Sequence, residues 1–105
     1  MLRIYPFIIE TLRDVAPIVR EIARHDVDLA RQTRRAASSI ALNTAEACGS
    51  SGGNERMRFR SALGSAHEVR ACLDVAEALG YVEPVDERLR DAFDRIAATL
   101  YRLAT

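Results

Sequence analysis

Apolar residues recur every three or four positions along nearly the whole chain, and only three short breaks interrupt them. The breaks are the His25-Asp26-Val27-Asp28 corner, the run from Cys48 to Asn54 (CGSSGGN), and the GYVEP step from Gly80 to Pro84. This spacing is the period of an α-helix with one apolar face. No alternating apolar-polar run is long enough for a strand, and no internal repeat is visible. Four amphipathic segments joined by short connections bury their stripes best against one another. The pattern therefore predicts an all-α, antiparallel up-down-up-down four-helix bundle, with residues 1–105 forming a single domain. A chain of 105 residues can bury one such core without a metal or disulfide staple.

Each segment has its own markers. The first carries Ile8, Leu12, Val15, Val19 and Ile22, with Pro6 suited to its first turn. Pro17 removes the hydrogen bond to the Arg13 carbonyl. The stripe keeps its phase across it, which predicts one kinked helix. The second runs from about Asp28 to Ala47, capped by Asp26 or Asp28 and followed by Gly49. Its inner face is thin, with Leu29, Ala36 and Ile40 beside Ala37 and Ala41, leaving surface that another subunit could cover. The third runs from about Asn54 to Leu79 through Phe59, Leu63, Ala66, Val69, Leu73 and Ala76, with Gly80 placed to end it. The fourth opens with Pro84, Asp86 and Glu87, acids that suit the positive end of the helix dipole, and carries Val85, Leu89, Phe93, Ile96, Leu100 and Leu103.

Familiar chemistries fail on spacing. A di-metal carboxylate bundle needs Glu-x-x-His pairs, yet Ile22 and Gly64 stand three residues before His25 and His67. The histidines and cysteines at 25, 48, 67 and 72 do not have zinc spacing. Cys48 and Cys72 fall roughly 27 Å apart along the third helix at ~1.5 Å per residue, too far for a disulfide. The glycine run before the third helix lacks the Lys-Ser/Thr ending of a phosphate loop, and Ser38 and Ser39 have no histidine to act as base. The expectation is no catalytic residue, no metal, no cofactor and no enzyme. No stretch is apolar enough to cross a bilayer, and Ile4 to Ile9 is too short for a signal peptide. A cytoplasmic protein with reduced cysteines, without a membrane partner, is expected.

Polar residues near the buried stripe are the more informative feature. Asn43 and Glu46 lie one turn apart beside Ala36 and Ile40, and a buried carboxylate needs a cationic partner or several donors. Arg35, Arg70 and Ser39 are candidate partners, with Glu68 as a second acid. Arg35, Ser39, Asn43, Glu46 and Glu68 are thus expected to form a network that fixes helix register or serves a subunit contact. The formal charge is zero, with 15 Arg and no Lys against 15 acids. Residues 1–60 hold 10 Arg and 7 acids, whereas residues 61–105 hold 5 Arg and 8 acids. Arg20, Arg24, Arg31, Arg34 and Arg35 should gather at one end, answered there by Asp74, Glu77, Glu83, Asp86 and Glu87. At the other end Arg56, Arg58 and Arg60 oppose the dipole of the third helix, so helix stability does not explain them. Arg31, Arg34, Arg56, Arg58 and Arg60 are the candidates for contact with a phosphate or a partner carboxylate.

The segments Leu29 to Gly49 and Phe59 to Val82 together resemble the four-helix-bundle family of 23S rRNA intervening-sequence proteins. Gln32, Arg35, Ala36, Ser39, Ile40, Asn43, Ala45 and Glu46 match the first part of that family's pattern. Phe59, Gly64, Ser65, Glu68, Leu79, Gly80 and Tyr81 match the later parts. Thr44 stands where Ile is usual, and Ala47-Cys48-Gly49 delays the glycine. The resemblance implies small bacterial proteins without enzymatic activity and an all-α bundle that forms a homo-oligomer. A related branch, the accessory proteins of diversity-generating retroelements, implies a pentamer that binds nucleic acid and a reverse transcriptase. That branch is strongly basic and this chain is neutral. The expected function is therefore a non-enzymatic, homo-oligomeric assembly or adaptor module that docks itself or a protein partner. The alternative is an accessory protein that binds RNA or DNA.

Overall fold

The computed structural model describes residues 3–105 and contains four α-helices, with no strand among the described residues. They are α1 (Ile4–Ala23), α2 (Val27–Cys48), α3 (Gly52–Ala78) and α4 (Glu87–Ala104). α2 lies within one residue of the sequence expectation at each end, α3 begins two residues earlier, and α4 begins at Glu87, three residues after Pro84. Gly52 adopts φ +61° at that point, so the glycine run supplies the turn into the helix.

Local chemistry explains each end. Asp26 caps α2 by accepting from the Leu29 amide at 2.9 Å, which decides between the two aspartates considered above. Asp86 caps α4 through the Arg88 amide at 2.8 Å. At the end of α3, Gly80 takes φ +75°. This lets the Tyr81 amide reach back to the Ala76 carbonyl and the Gly80 amide to that of Glu77, at 2.9 and 3.1 Å. That pair of bonds satisfies carbonyls the helix leaves open. Pro6 sits in the first turn of α1, and α1 runs on unbroken through Pro17.

Cross-helix contacts set the direction of the pairs. Arg58 near the start of α3 meets Asn43 late in α2, and Gln32 early in α2 meets Glu68 further along α3. Arg70 pairs with Asp94, and Arg90 with Asp74, so α3 and α4 also run antiparallel. The α2–α3 pairing is the most extensive, and the α1–α4 meeting is slighter than those of α1 with α2 and α3 with α4. Consequently α2 and α3 form a central hairpin with α1 laid against one side and α4 against the other.

All four helices feed one apolar cluster. Ile8, Ile22, Ile40, Phe59, Val69, Phe93, Ile96 and Leu100 are its large, fully buried members. The stripes of α2 and α3 each follow the expectation except at one position. Ala30 is buried and Leu29 half-buried on α2, and Ala62 is buried and Leu63 half-buried on α3. Small side chains take the centre of the contact because close helix approach leaves little room there. Thr33 and Thr44 are also fully buried. Their hydroxyls donate to the carbonyls of Leu29 and Ile40 one turn back, at 2.7 and 2.8 Å, so neither carries an unmet donor.

The two faces of α3 are both largely uncharged. The inner face holds Phe59, Ala62, Ala66, Val69, Leu73 and Ala76. On the opposite side Met57, Ser61, Gly64, Ala71, Val75 and Leu79 are exposed, with Glu68 the one charge among them; Met57 is 49% exposed, Val75 44% and Leu79 59%. An ordinary surface helix would set charge there.

Candidate functional site

The groove between α2 and α3 gathers polar side chains from both helices. Its backbone is a chain of hydrogen bonds across the two helices. Asn43 Nδ2 donates to the Ser39 carbonyl at 3.0 Å and to Ser39 Oγ at 2.9 Å. Ser65 Oγ donates to the same Ser39 Oγ at 2.8 Å. Arg58 Nη1 donates to Asn43 Oδ1 at 3.4 Å. One turn further along, Gln32 Nε2 donates to Glu68 Oε2 at 3.2 Å. These bonds lock α2 and α3 in register, since each joins a fixed level of one helix to a fixed level of the other.

Two shallow depressions follow this line. One, of ≈ 430 Å³, is lined by Arg31, Gln32, Arg35, Ser39, Ser65 and Glu68 among others. Its neighbour, of ≈ 440 Å³, is lined by Arg35, Ser38, Leu42, Asn43, Glu46 and Arg58, and the two share Arg35 and Ser39. The five expected network residues therefore line one continuous groove. Only Ser39 and Asn43 are bonded to each other. Glu68 bonds to Gln32, while Arg35 and Glu46 are exposed and make no side-chain hydrogen bond or ion pair among the described residues. Glu46 corrects the sequence expectation: one turn beyond Asn43, its side chain has swung past the helix contact into solvent. Arg70, offered as its partner, pairs with Asp94 at 2.9 Å.

The arginines also sort differently from expectation. At the end formed by the α1–α2 corner, Arg24 pairs with Glu21 and Arg31 with Asp28, both within their own helical segments. Of the acids expected there, Asp74 and Glu77 are engaged between α3 and α4. Glu77 accepts from the Val85 amide at 3.0 Å and from Arg90 at 2.7 Å, and Arg90 also reaches Asp74 at 3.1 Å. The Val85 amide, followed by Arg90, holds the Glu77 carboxyl below its ordinary range. Arg20, Arg34 and Arg35 consequently have no carboxylate within 4.0 Å among the described residues. In the trio at the start of α3, Arg58 is held by Asn43, and Arg60 donates to the Ala104 carbonyl at 3.4 Å. These two have structural work that the dipole argument overlooked, because each reaches a neighbouring helix. Arg56 is exposed and makes no side-chain hydrogen bond or ion pair among the described residues.

Ser65 and Gln32 are network members that the sequence reading did not single out as site residues. Antiparallel pairing brings a residue early in α2 level with one late in α3, and that rule applied to Ser39 and Glu68 points to both.

The remaining chemistry-bearing groups are dispersed. His25 stacks on Tyr81 with ring centroids 5.3 Å apart and faces Glu21 at 3.8 Å. Cys72 is buried beside Thr33, and burial pushes its thiol up, against the Thr33 hydrogen bond and with the charge of Glu68. Cys48 is exposed, and both cysteines are free. No group of three or more His, Cys, Asp or Glu gathers as a metal site among the described residues. No helix there is long and apolar enough to cross a membrane.

Four antiparallel helices, a register-locking polar groove and a sparsely charged outer helix face define an all-α bundle protein. Residues 2–102 match the family model described as 23S rRNA-intervening sequence protein. The chain belongs to that family. Comparison with curated proteins and with solved structures finds no match in either.

Proposed function

We propose that the chain acts without catalysis, as an assembly module that associates with further copies of itself and through them with a partner. The outer face of α3 is the observation that carries this reading. Glu68 is the one charge among Met57, Ser61, Gly64, Ala71 and Val75 on that face, and a subunit would bury so sparsely charged a side on association. The family membership supports a role outside catalysis, since its description names no reaction. Sedimentation or light scattering at micromolar concentration tests the reading. The expected species is a multiple of 11.7 kDa, and a lone 11.7 kDa particle across that range overturns it.

A second reading, contact with RNA or DNA, is favoured by Arg34, Arg35 and Arg56. They are exposed guanidiniums with no carboxylate within 4.0 Å among the described residues.

A further inference from the structure

Arg3, Arg56, Arg58, Arg60 and Arg102 stand at the end of the bundle where α1 and α3 begin and α2 and α4 finish. The acidic side chains at that end are Glu46 and Glu55, and none of these arginines has a carboxylate within 4.0 Å among the described residues. Where their guanidiniums are bonded, the partner is uncharged: Asn43 for Arg58, the Ala104 carbonyl for Arg60 and Thr99 for Arg102. Their charge is unanswered within the chain.

One corner of this end has a defined geometry. Arg56 and Arg60 are four residues apart on α3, hence neighbours on one face, and like charges at that spacing work against the helix. Arg60 Nη2 reaches the Ala104 carbonyl of α4 at 3.4 Å. Tyr101 lies one turn before Ala104 and two turns after Asp94, whose carboxylate meets Arg70 of α3. It therefore shares the flank of α4 turned toward α3. Tyr101 is 62% exposed. Two other rings have stacked partners, since Arg95 lies over Phe7 at 4.2 Å and Tyr81 stacks on His25, but nothing stacks on Tyr101 among the described residues.

We infer that this corner binds single-stranded nucleic acid, with phosphates on Arg56 and Arg60 and a base against Tyr101. The inference rests on the nucleic-acid reading above and gives it a surface. Guanidinium forks match phosphate oxygens, and an exposed tyrosine ring is a platform that any unstacked base can use. A duplex keeps its base faces inside the stack, so it would use the arginines and leave the ring idle. An acidic peptide offers carboxylates to the guanidiniums and no flat ring to Tyr101. The neutral total does not oppose a polyanion here, because Asp74, Glu77, Glu83, Asp86 and Glu87 lie toward the far end, where α3 finishes and α4 begins.

The test uses the full chain and the anisotropy of labelled oligo-dT and oligo-U, with a duplex of equal length and a polyglutamate peptide in parallel. Wild type should bind both single strands more tightly than the duplex or the peptide, and less tightly as salt rises. The chain has three tyrosines and no tryptophan, so stacking should also quench its intrinsic emission. Arg56→Gln with Arg60→Gln should weaken binding about tenfold or more and flatten the salt dependence. Tyr101→Leu should weaken it about fivefold or more, remove most of the quenching and leave the salt dependence as in wild type. Arg34→Gln with Arg35→Gln should leave the affinity within about twofold of wild type. If loss of the Arg60 bond unfolds the double variant, Arg56→Gln alone carries the test, because Arg56 makes no side-chain hydrogen bond or ion pair among the described residues. A wild type that prefers the duplex or the peptide, or a Tyr101→Leu variant that binds and quenches as wild type does, overturns the corner. Loss of binding confined to the Arg34 and Arg35 variant overturns the corner and leaves the nucleic-acid reading standing. No salt-dependent binding to any oligonucleotide overturns both.

Discussion

Asn43 and Glu46 show how far one helical turn separates two polar residues in consequence. Asn43 makes three side-chain hydrogen bonds, to the carbonyl and hydroxyl of Ser39 and to Arg58. Asn43→Ala should therefore destabilise the fold by about 1–2 kcal/mol, the scale of losing partly buried bonds and leaving their partners unmet. Glu46→Ala should shift it by less than about 0.5 kcal/mol, as exposed substitutions usually do. Denaturant midpoints of the two variants beside wild type check the contrast, and equal effects would contradict it. The thiols divide on the same principle of access. Cys48 is exposed, whereas Cys72 is buried and its thiolate disfavoured, so a disulfide exchange reagent should titrate one fast thiol per native chain and two after denaturation. At this scale the sequence was only half legible. Reading both Asn43 and Glu46 as beside the stripe was too coarse: at 3.6 residues per turn Asn43 lies about 60° round α2 from Ile40 and Glu46 about 120°, far enough to reach solvent.

Helix ends were far more legible, because they are written in residue types with strong local preferences. Asp26, Asp86 and Gly80 announce a cap, a cap and a stop, and the bonds they make are short-range. The connection from α3 to α4 hides one further device in the Glu77 carboxylate, which holds the Val85 amide and the Arg90 guanidinium together. Its folded-state pKa lies below the ordinary value of 4.5. The contribution is fully present above the unfolded value, where the unfolded carboxylate is also ionised, and it is lost as pH falls through the depressed folded value. Glu77→Gln should accordingly flatten the acid side of the stability profile below about pH 4.5 and leave the fold's temperature dependence cooperative. Chemical denaturation between pH 3 and 7 measures it, and parallel acid limbs for variant and wild type would refute it. Sequence reading had assigned Glu77 to a cluster of α1–α2 arginines. Arg90 takes it instead because it projects from the first turns of the adjacent helix, whereas Arg34 and Arg35 face away on α2.

For the whole molecule, the neutral total conceals an uneven use of charge. Seven ion pairs occupy Arg13, Arg24, Arg31, Arg70, Arg90 and His25 within the described residues, and all but a few are exposed pairs of modest worth. Arg34, Arg35 and Arg56 are among the exposed arginines, with Arg20, that have no ion pair among the described residues. If RNA or DNA is the partner, affinity should fall steeply with salt, with a log–log slope near −0.9 per phosphate contacted, and replacing these three by Gln should make that slope shallower. Binding assays at two salt concentrations read both numbers, and a wild type without salt-dependent binding removes nucleic acid from consideration. Fold class and helix count were legible at this scale because four stripes of one period leave few ways to be buried. The outward face of α3 was not, because a reading that seeks one stripe per helix stops when it has found the inner one. The slight meeting of α1 with α4 has a consequence of its own for how the bundle comes apart. With the α2–α3 hairpin central and the outer helices each anchored on one main side, α1 and α4 can lift away separately. Their backbone amides should exchange with deuterium faster than those of α2 and α3, so the last protons retained would belong to the hairpin that carries the groove.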